Sequence, residues 1–390
     1  MKSTLRRTWA EIDLDALENN YRRLKEKTGQ NTKFLGVVKA DAYGHGSVKI
    51  GRKLAELGAD YLAVSSIDEA MELRESGIEM PILILGHTPK EQVANLIDYK
   101  LTQTITCKAK AMEYQDAAAH LGKQLKCHIK VDTGMSRLGY LVDDDCFDHG
   151  VEGIAEACRM QNLDVEGIFT HFSMSDGETQ ETKEYTRHQF DLFQRVFTEV
   201  EKRWGHTFAI KHCANTGAVA RYPETYLDMV RPGLLLYGYG KYAEELGLRP
   251  VMSLKTIVST IKIYQKGTAV SYDGTYITDK VTRVGVVPIG YADGYHRCLS
   301  GKWKVLTADG PARQIGRICM DMCMVDLTDC PNVDVDSEVE IFGKHNSIDE
   351  MARLADSIPY ELTCSISKRV PRKYIQDGSV VDEELLLRNM

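Results

Sequence analysis

Between residues 12 and 240 short apolar runs alternate with longer amphipathic segments, and no other feature restricts the fold of this chain as much. Read as strands, the apolar runs are FLGVV (34–38), YLAV (61–64), ILIL (82–85), TQTIT (102–106), KCHIKV (126–131), VEGIF (165–169), FAIKH (208–212) and LDMV (227–230). Between them lie helical patterns. One is predicted over 66–76, where Ser66 and Glu69 have capping-box spacing and Gly77 follows as a stop. Eight strand–helix units in this span point to a (β/α)8 barrel of the TIM type, at the compact end of its size range. A doubly wound sheet is the structural alternative, because periodicity alone does not count closed strands.

After residue 240 the rhythm changes. VMSLKTIVSTIKIY, TRVGVVPIGY, WKVLTA and EVEIFG are strand-like and joined by turns containing Gly, Asp and Lys. One helix is expected among them, over 347–355, with a second capping box at Ser347 and Glu350. The predicted architecture is α/β: a barrel over 1–240 followed by a C-terminal, mostly β-strand domain over 241–390. Residues 1–11 precede the first barrel helix and are free to pack with that second domain.

Composition narrows the function classes. Lys and Arg total 49 against 56 for Asp and Glu, a net charge of −7, which disfavours nucleic acid and anionic membranes as partners. No apolar run approaches the roughly 18–20 residues of a membrane span. The opening MKSTLRRTWAEIDL lacks the apolar core of a signal peptide. Ten cysteines are scattered from Cys107 to Cys364 without a CxxC, so the expectation is buried reduced thiols, no metal site and a cytoplasmic location.

Barrel enzymes place their chemistry where strands end at the C-terminal rim. The first predicted strand ends in Lys39, and the fifth carries Lys130 and Asp132 on one alternating face, followed by Arg137. The sixth leads to His171, the seventh to Cys213-Ala214-Asn215-Thr216-Gly217, and the eighth to Arg231-Pro232-Gly233. Singly, each has an ordinary reading as a solvated lysine, a core histidine or a salt-bridge arginine. A charge within a barrel strand, such as Lys130, is costly to desolvate unless paired and implies a local network. Loops after strands 7 and 8 of such barrels often bind phosphate, and Asn-Thr-Gly and Pro-Gly-Leu offer a hydroxyl and backbone N–H groups for one. A phosphate there and a lysine at the end of strand 1 face the same cavity. A phosphate-bearing aldehyde joined covalently to the lysine satisfies both. Pyridoxal phosphate is such a molecule, although an aldolase acting on a phosphorylated sugar fits the same pattern.

The motifs VVKADAYGHG (37–46), KVDTGMSRLG (130–139), HCANTG (212–217), MVRPGLLLYG (229–238), VSYDGTY (270–276), VPIGYADGY (287–295) and GRICMDMCMVDL (316–327) occur in this order. Together they resemble the fold-type III alanine racemases, over essentially all of residues 5–375. The resemblance implies pyridoxal 5'-phosphate as cofactor, alanine as substrate, and a head-to-tail homodimer in which the C-terminal domain of one subunit completes the active site of the other. It implies that Lys39 holds the cofactor and exchanges the α-proton on the D face, while Tyr272 of the partner subunit exchanges it on the L face. Arg231 would donate to the pyridine nitrogen, Arg137 would contact the substrate carboxylate, and His171 would lie near the ring. Tyr43, Asn215, Thr216, Gly233 and Leu234 are implied on the cofactor side. Met320 and Asp321 are implied on the substrate side, with Tyr291 at the entrance. In some members the lysine matching Lys130 is carbamylated, which makes Lys130 the candidate for that modification.

Two departures stand out. Asp273 follows Tyr272 where the family usually has Gly, with Gly274 one position later, so the turn chemistry is expected to be displaced with little effect. Lys368 stands where many members have a tyrosine that contacts the cofactor phosphate. A lysine still serves a phosphate as a point charge but changes the space around the substrate's β-carbon. The leading expectation is a two-base alanine racemase supplying D-alanine for peptidoglycan. The alternatives are a serine or broad-specificity racemase on the same site, a non-catalytic cofactor carrier built on the barrel alone, and a decarboxylase of the related two-domain group.

Overall fold

The structure, a computed structural model, describes residues 7–385. They divide into two compact units, one formed by 21–42 and 47–236 and the other by 7–20, 43–46 and 237–385. The expectation for residues 1–6 lies outside the described residues.

In the first unit the predicted strands are present as Lys33–Val37, Tyr61–Val64, Ile82–Ile84, Thr102–Ile105, Leu125–Asp132, Leu163–Phe169, Ile210–His212 and Met229–Val230. From the first to the seventh each pairs in parallel with the next in chain order, and the eighth pairs with the first through Met229↔Lys33 and Val230↔Phe34. At the seam between the seventh and eighth strands the Asp228 amide donates to the Lys211 carbonyl (3.1 Å) and the Arg231 amide to the Ala214 carbonyl (2.9 Å). The result is a nearly closed parallel barrel. A doubly wound sheet is excluded, because strand order follows chain order around the ring with no switch point.

The strands close because their side chains fill both faces. Phe34, Leu35, Ile82, Leu83, Ile84, Ile105, Ile129 and Ile168 are all buried. The helix Ile67–Glu75 starts as predicted, with Ser66 and Glu69 forming a complete capping box. The longest helix, Gln180–Trp204, is capped by Thr179, stopped by Gly205 at φ 71° and buries Phe190, Phe193, Val196 and Val200 along one stripe. Truncating Phe193 to Ala would cost about 3–5 kcal/mol, since it is fully buried.

In the second unit ten strands run in one sheet path: Thr260–Tyr264, Thr282–Val287, Cys323–Asp326, Gly310–Ile315, Lys304–Thr307, Glu338–Phe342, Met252–Ile257, Thr8–Asp13, Arg372–Gln376 and Ser379–Glu384. The N-terminal strand Thr8–Asp13 is interior to this sheet, antiparallel to Met252–Ile257 and parallel to Arg372–Gln376. The expected helix is Ile348–Leu354, but its cap is only half a box: Ser347 accepts from the Glu350 amide and no reciprocal bond forms. A further helix, Pro359–Cys364, escaped the sequence reading because it is six residues long and its sole start signal is Pro359 at the first position.

No helix among the described residues is long and apolar enough to cross a membrane, and no group of His, Cys, Asp and Glu among them could hold a metal ion. All ten cysteines are free, but the expectation that they are buried holds for only part of the set. Cys127, Cys213, Cys323 and Cys330 are buried, whereas Cys107, Cys298 and Cys364 are exposed.

Candidate active site

The segment after the first barrel strand departs from ordinary backbone geometry. Lys39–Gly44 is one helical turn, and Ala40, Asp41, Ala42 and Tyr43 all take φ between 52° and 54°. It is therefore left-handed. Such a turn costs roughly 1–2 kcal/mol for each L-residue, so it persists only where its surroundings fix it. On the barrel side, the Ala40 amide donates to Glu69 Oε1 at 2.6 Å and Asp41 Oδ1 accepts the Ser47 amide at 2.8 Å. In the other unit, Gly44 follows at φ 82° with its carbonyl bonded to the buried Arg372, and a Cβ on Gly44 would stand 2.2 Å from the Thr363 carbonyl oxygen. Lys39 thus leaves the strand end on a turn tied down at several points.

Lys130, Arg137, His171 and Arg231 act on one another electrostatically in the same unit as Lys39. Burial, followed by the charges of Arg137 and Arg231, lowers Lys130 from 10.5 to about 8. His171 is held well below its usual value, first by burial and then by Arg231, Lys130, Arg137 and Lys39, so it is neutral at neutral pH. Arg137 is carried by a loop built on Asp132. One carboxylate oxygen of Asp132 accepts the amides of Gly134, Met135 and Ser136 at 3.1, 2.9 and 3.0 Å, and the other accepts the Arg137 amide at 3.1 Å.

Arg231 is 4% exposed, and burial lowers it to about 10, which leaves it a cation at neutral pH. Its Nη2 donates to the carbonyls of Thr170 (2.8 Å) and Cys213 (3.2 Å) and lies 3.4 Å from His171 Nδ1, while Nη1 meets His212 Nδ1 at 2.9 Å. Its Nε–H has no acceptor among the described residues. A buried guanidinium whose Nε–H is unanswered suits a bound molecule that brings an acceptor, as the ring nitrogen of pyridoxal phosphate does.

The loops after the seventh and eighth strands meet through Thr216, whose hydroxyl oxygen accepts the amides of Gly233 and Leu234, each at 3.1 Å. Asn215 is the cap of the helix Thr216–Arg221: its side-chain oxygen takes the Ala218 amide and the Ser175 hydroxyl, and its amide group donates to Phe172. It orders the loop that presents Thr216.

In the second unit Tyr272 heads a short turn between the paired strands Ala269–Val270 and Tyr276–Ile277 and is 68% exposed. The left-handed conformation is taken by Asp273 (φ 62°) and by Gly274 (φ 54°), and Asp273 lies 3.5 Å from Arg317. An Asp tolerates this region better than most L-residues, which accounts for the departure in this turn. Tyr272, Met320 and Asp321 line one groove of about 490 Å³. Asp321 is held by Arg369 at 2.6 Å, and Arg369 in turn binds the buried Asp293 at 2.7 Å. Tyr291 is 43% exposed and its amide donates to the Cys319 carbonyl at 3.0 Å. Lys368 is exposed beside Arg369, and burial pushes the Tyr43 hydroxyl well above its usual value.

The structure thus brings Lys39, Lys130, Arg137, His171 and Arg231 into one charged cluster, and Thr216, Gly233 and Leu234 into one set of bonds. Tyr272, Met320 and Asp321 share a separate groove. Three residues around Arg231 were not singled out from the sequence: His212, His128 and Glu166. The available signal was polar residues inside otherwise apolar strand runs.

Two family profiles cover most of the chain: "Alanine racemase, N-terminal domain" matches residues 12–241 and "Alanine racemase, C-terminal domain" matches residues 251–374. The chain is 41% identical over 372 residues to an alanine racemase of Desulforamulus reducens, covering 94% of this chain and 98% of that one. It is 42% identical over 385 residues to alanine racemase 1 of Clostridium acetobutylicum, covering 97% of each. Among solved structures, an alanine racemase of Clostridium difficile superposes with a TM-score of 0.92 at 36% identity, covering 99% of this chain and 100% of that one.

Proposed function

The chain belongs to the alanine racemase family, and from that premise we propose that it interconverts L-alanine and D-alanine by a two-base mechanism on pyridoxal 5'-phosphate. When bound, the cofactor supplies the conjugation that makes the substrate's α-proton labile. Lys39 Nζ exchanges that proton on the D face and the hydroxyl of Tyr272 of the partner subunit exchanges it on the L face. Inversion needs a base on one side and an acid on the other, with the roles reversed in the opposite direction. Lys39 therefore has to give up its proton for the step to run.

Arg231 would hold the cofactor's ring nitrogen through its Nε–H, a donor that does not give up its proton. Arg137 binds the substrate carboxylate. Lys130, whose amine is neutral in a useful fraction at about pH 8, is proposed to carry a carbamate that orients Arg137. Thr216, Gly233 and Leu234 would hold the phosphate, the two amides turning to it from the Thr216 oxygen that accepts them here. Tyr43 and Lys368 carry their expected roles forward as proposals, a hydroxyl and a point charge for a phosphate, as do Met320, Asp321 and Tyr291 on the substrate side.

The exposed Tyr272 groove supports a homodimer in which a second copy covers it, because a lone subunit leaves the second base in solvent. The product role is D-alanine supply for peptidoglycan, in the cytoplasm. The observation that carries the reading is Arg231, a buried cation with an unanswered donor at the end of the eighth strand. A carboxylate there would stabilise a protonated ring nitrogen and suit chemistry that needs a stronger electron sink.

A chiral assay with L-alanine and L-serine side by side tests the reading. Rapid D-alanine with little D-serine is expected. Comparable D-serine would move the assignment to a broad racemase and implicate Lys368. In deuterated water Tyr272→Phe should lose about 10²–10⁴-fold in racemisation, yet still exchange the α-hydrogen of D-alanine through Lys39. Unimpaired inversion by that variant would remove Tyr272 from the mechanism.

A further inference from the structure

We propose that Glu166 acts, through His128 and His212, as a positioning residue for Arg231. The inference rests on the reading that Arg231 faces the cofactor ring, and its first test does not.

The four groups form one chain. Arg231 Nη1 lies 2.9 Å from His212 Nδ1, His212 Nε2 lies 2.9 Å from His128 Nδ1, and His128 Nε2 lies 3.4 Å from Glu166 Oε2. Glu166 also accepts from Tyr61 (2.6 Å) and Lys126 (3.0 Å). No carboxylate is paired with Arg231 directly among the described residues, and the chain leads from it to one.

The direction of every bond follows from the ends. Arginine only donates, so His212 Nδ1 must accept and its Nε2 must carry the proton. His128 Nδ1 then accepts, and its Nε2–H donates to Glu166, which as a carboxylate only accepts. Both rings are consequently neutral and share one tautomer. Burial depresses both histidines, and the His128, Tyr61 and Lys126 contacts keep Glu166 ionised by lowering it to about 2.

The packing is built for this arrangement. His212 stacks on Phe169 with ring centroids 4.7 Å apart and planes 13° apart, and Arg231 lies over the same ring at 5.4 Å. Gly167 makes room for His128: a Cβ there would stand 2.7 Å from the imidazole. With one Nη1–H committed to His212 and Nη2 to two carbonyls, the guanidinium has one orientation, and Nε–H is among the donors left for the ring. If the relay is cut, His212 is free to turn an N–H toward Arg231, and two donors then oppose each other.

The test uses the full-length enzyme with 15N-labelled histidine, with and without cofactor. Ring nitrogen shifts should show His128 and His212 neutral and protonated at Nε2. His128→Leu should give His212 a second tautomer and lower kcat for alanine about tenfold, the scale of one lost hydrogen bond to a charged group, with little change in KM. His128→Gln should restore both, since its amide oxygen accepts and its NH2 donates as the imidazole did. Glu166→Gln is nearly isosteric at a half-buried position, so it tests the relay even where His128→Leu fails to fold, and it should shift the His128 and His212 signals. An Nδ1-protonated or doubly protonated His212 in the unaltered enzyme would overturn the proposal. So would Leu and Gln at position 128 behaving alike, or unmoved histidine signals in Glu166→Gln. If the enzyme turns over no amino acid at all, the functional reading fails while the nitrogen shifts still decide the relay.

Discussion

The Glu69 carboxylate accepts the backbone N–H of Ala40 at 2.6 Å, so one side chain both caps a helix and holds the turn that follows Lys39. Its other oxygen takes the amides of Ser65 and Ser66 at 2.6 and 3.3 Å. Glu69→Ala removes all three hydrogen bonds and frees a turn whose conformation is intrinsically unfavourable. The expected loss is about 2–3 kcal/mol of stability, as for a strong cap with an added charged hydrogen bond. Thermal unfolding measures it, and dialysis should strip cofactor faster from the variant. Unchanged stability and retention would mean that the left-handed turn is held by its other contacts.

Asp132 presents a second case of one carboxylate organising a loop. It gathers four consecutive amides and so fixes where Arg137 begins. Asp132→Ala should raise KM for alanine about tenfold or more, with a smaller effect on kcat, because removing charged hydrogen bonds of this kind costs about 1.5–3 kcal/mol. A kcat defect with unchanged KM would place the role of the loop in the chemical step.

Lys130 gives the stability curve a pH dependence of known sign. Its native value near 8 lies below the ordinary 10.5, so the folded state resists charging it. The penalty is present in full below pH 8 and fades as pH rises toward 10.5, where the unfolded chain still binds the proton that the folded chain has lost. In buffer free of carbon dioxide, Lys130→Met should be more stable at neutral pH by up to roughly 3 kcal/mol, and this advantage should vanish above the ordinary lysine range. Adding 13C-bicarbonate should produce a carbamate resonance and raise the melting temperature of the unsubstituted protein only. A bare ammonium under those conditions removes the carbamate from the mechanism.

Thiol reagents should discriminate sharply among the ten cysteines. Cys107, Cys298 and Cys364 are exposed and should react first. Cys127, Cys213 and Cys323 are buried and burial raises each thiol above its usual value, which starves them of thiolate. They should react only on unfolding, as peptide mapping after a timed pulse would reveal.

The barrel was legible because eight apolar runs needed no partner to announce them, and the rim residues because strand ends locate themselves once the strands are found. Shorter or non-local features were hidden. The helix Pro359–Cys364 has too few residues for a period, and nothing in VVKADAYGHG signals left-handed backbone. His128 and His212 lie 84 positions apart, and His128 and Glu166 lie 38 apart, so only the barrel, which sets the strands of Glu166 and His128 side by side and that of His212 one strand further on, makes them neighbours. Ser347 and Glu350 have the spacing of a box yet form half of one, and the Glu350 carboxylate lies 3.8 Å from Arg353 instead.

The strand Thr8–Asp13 lies between two strands that are made much later, Met252–Ile257 and Arg372–Gln376. During synthesis the ribosome therefore releases the opening of this sheet first and its closing partner last, with an interval on the order of tens of seconds at the usual elongation rate. For that time the N-terminal strand has an exposed edge and no mate, while the barrel segment emerges between them. A recombinant fragment beginning near residue 240 would inherit the complementary defect, an open slot in the middle of its sheet, and adding residues 7–20 as a separate peptide is the direct way to fill it.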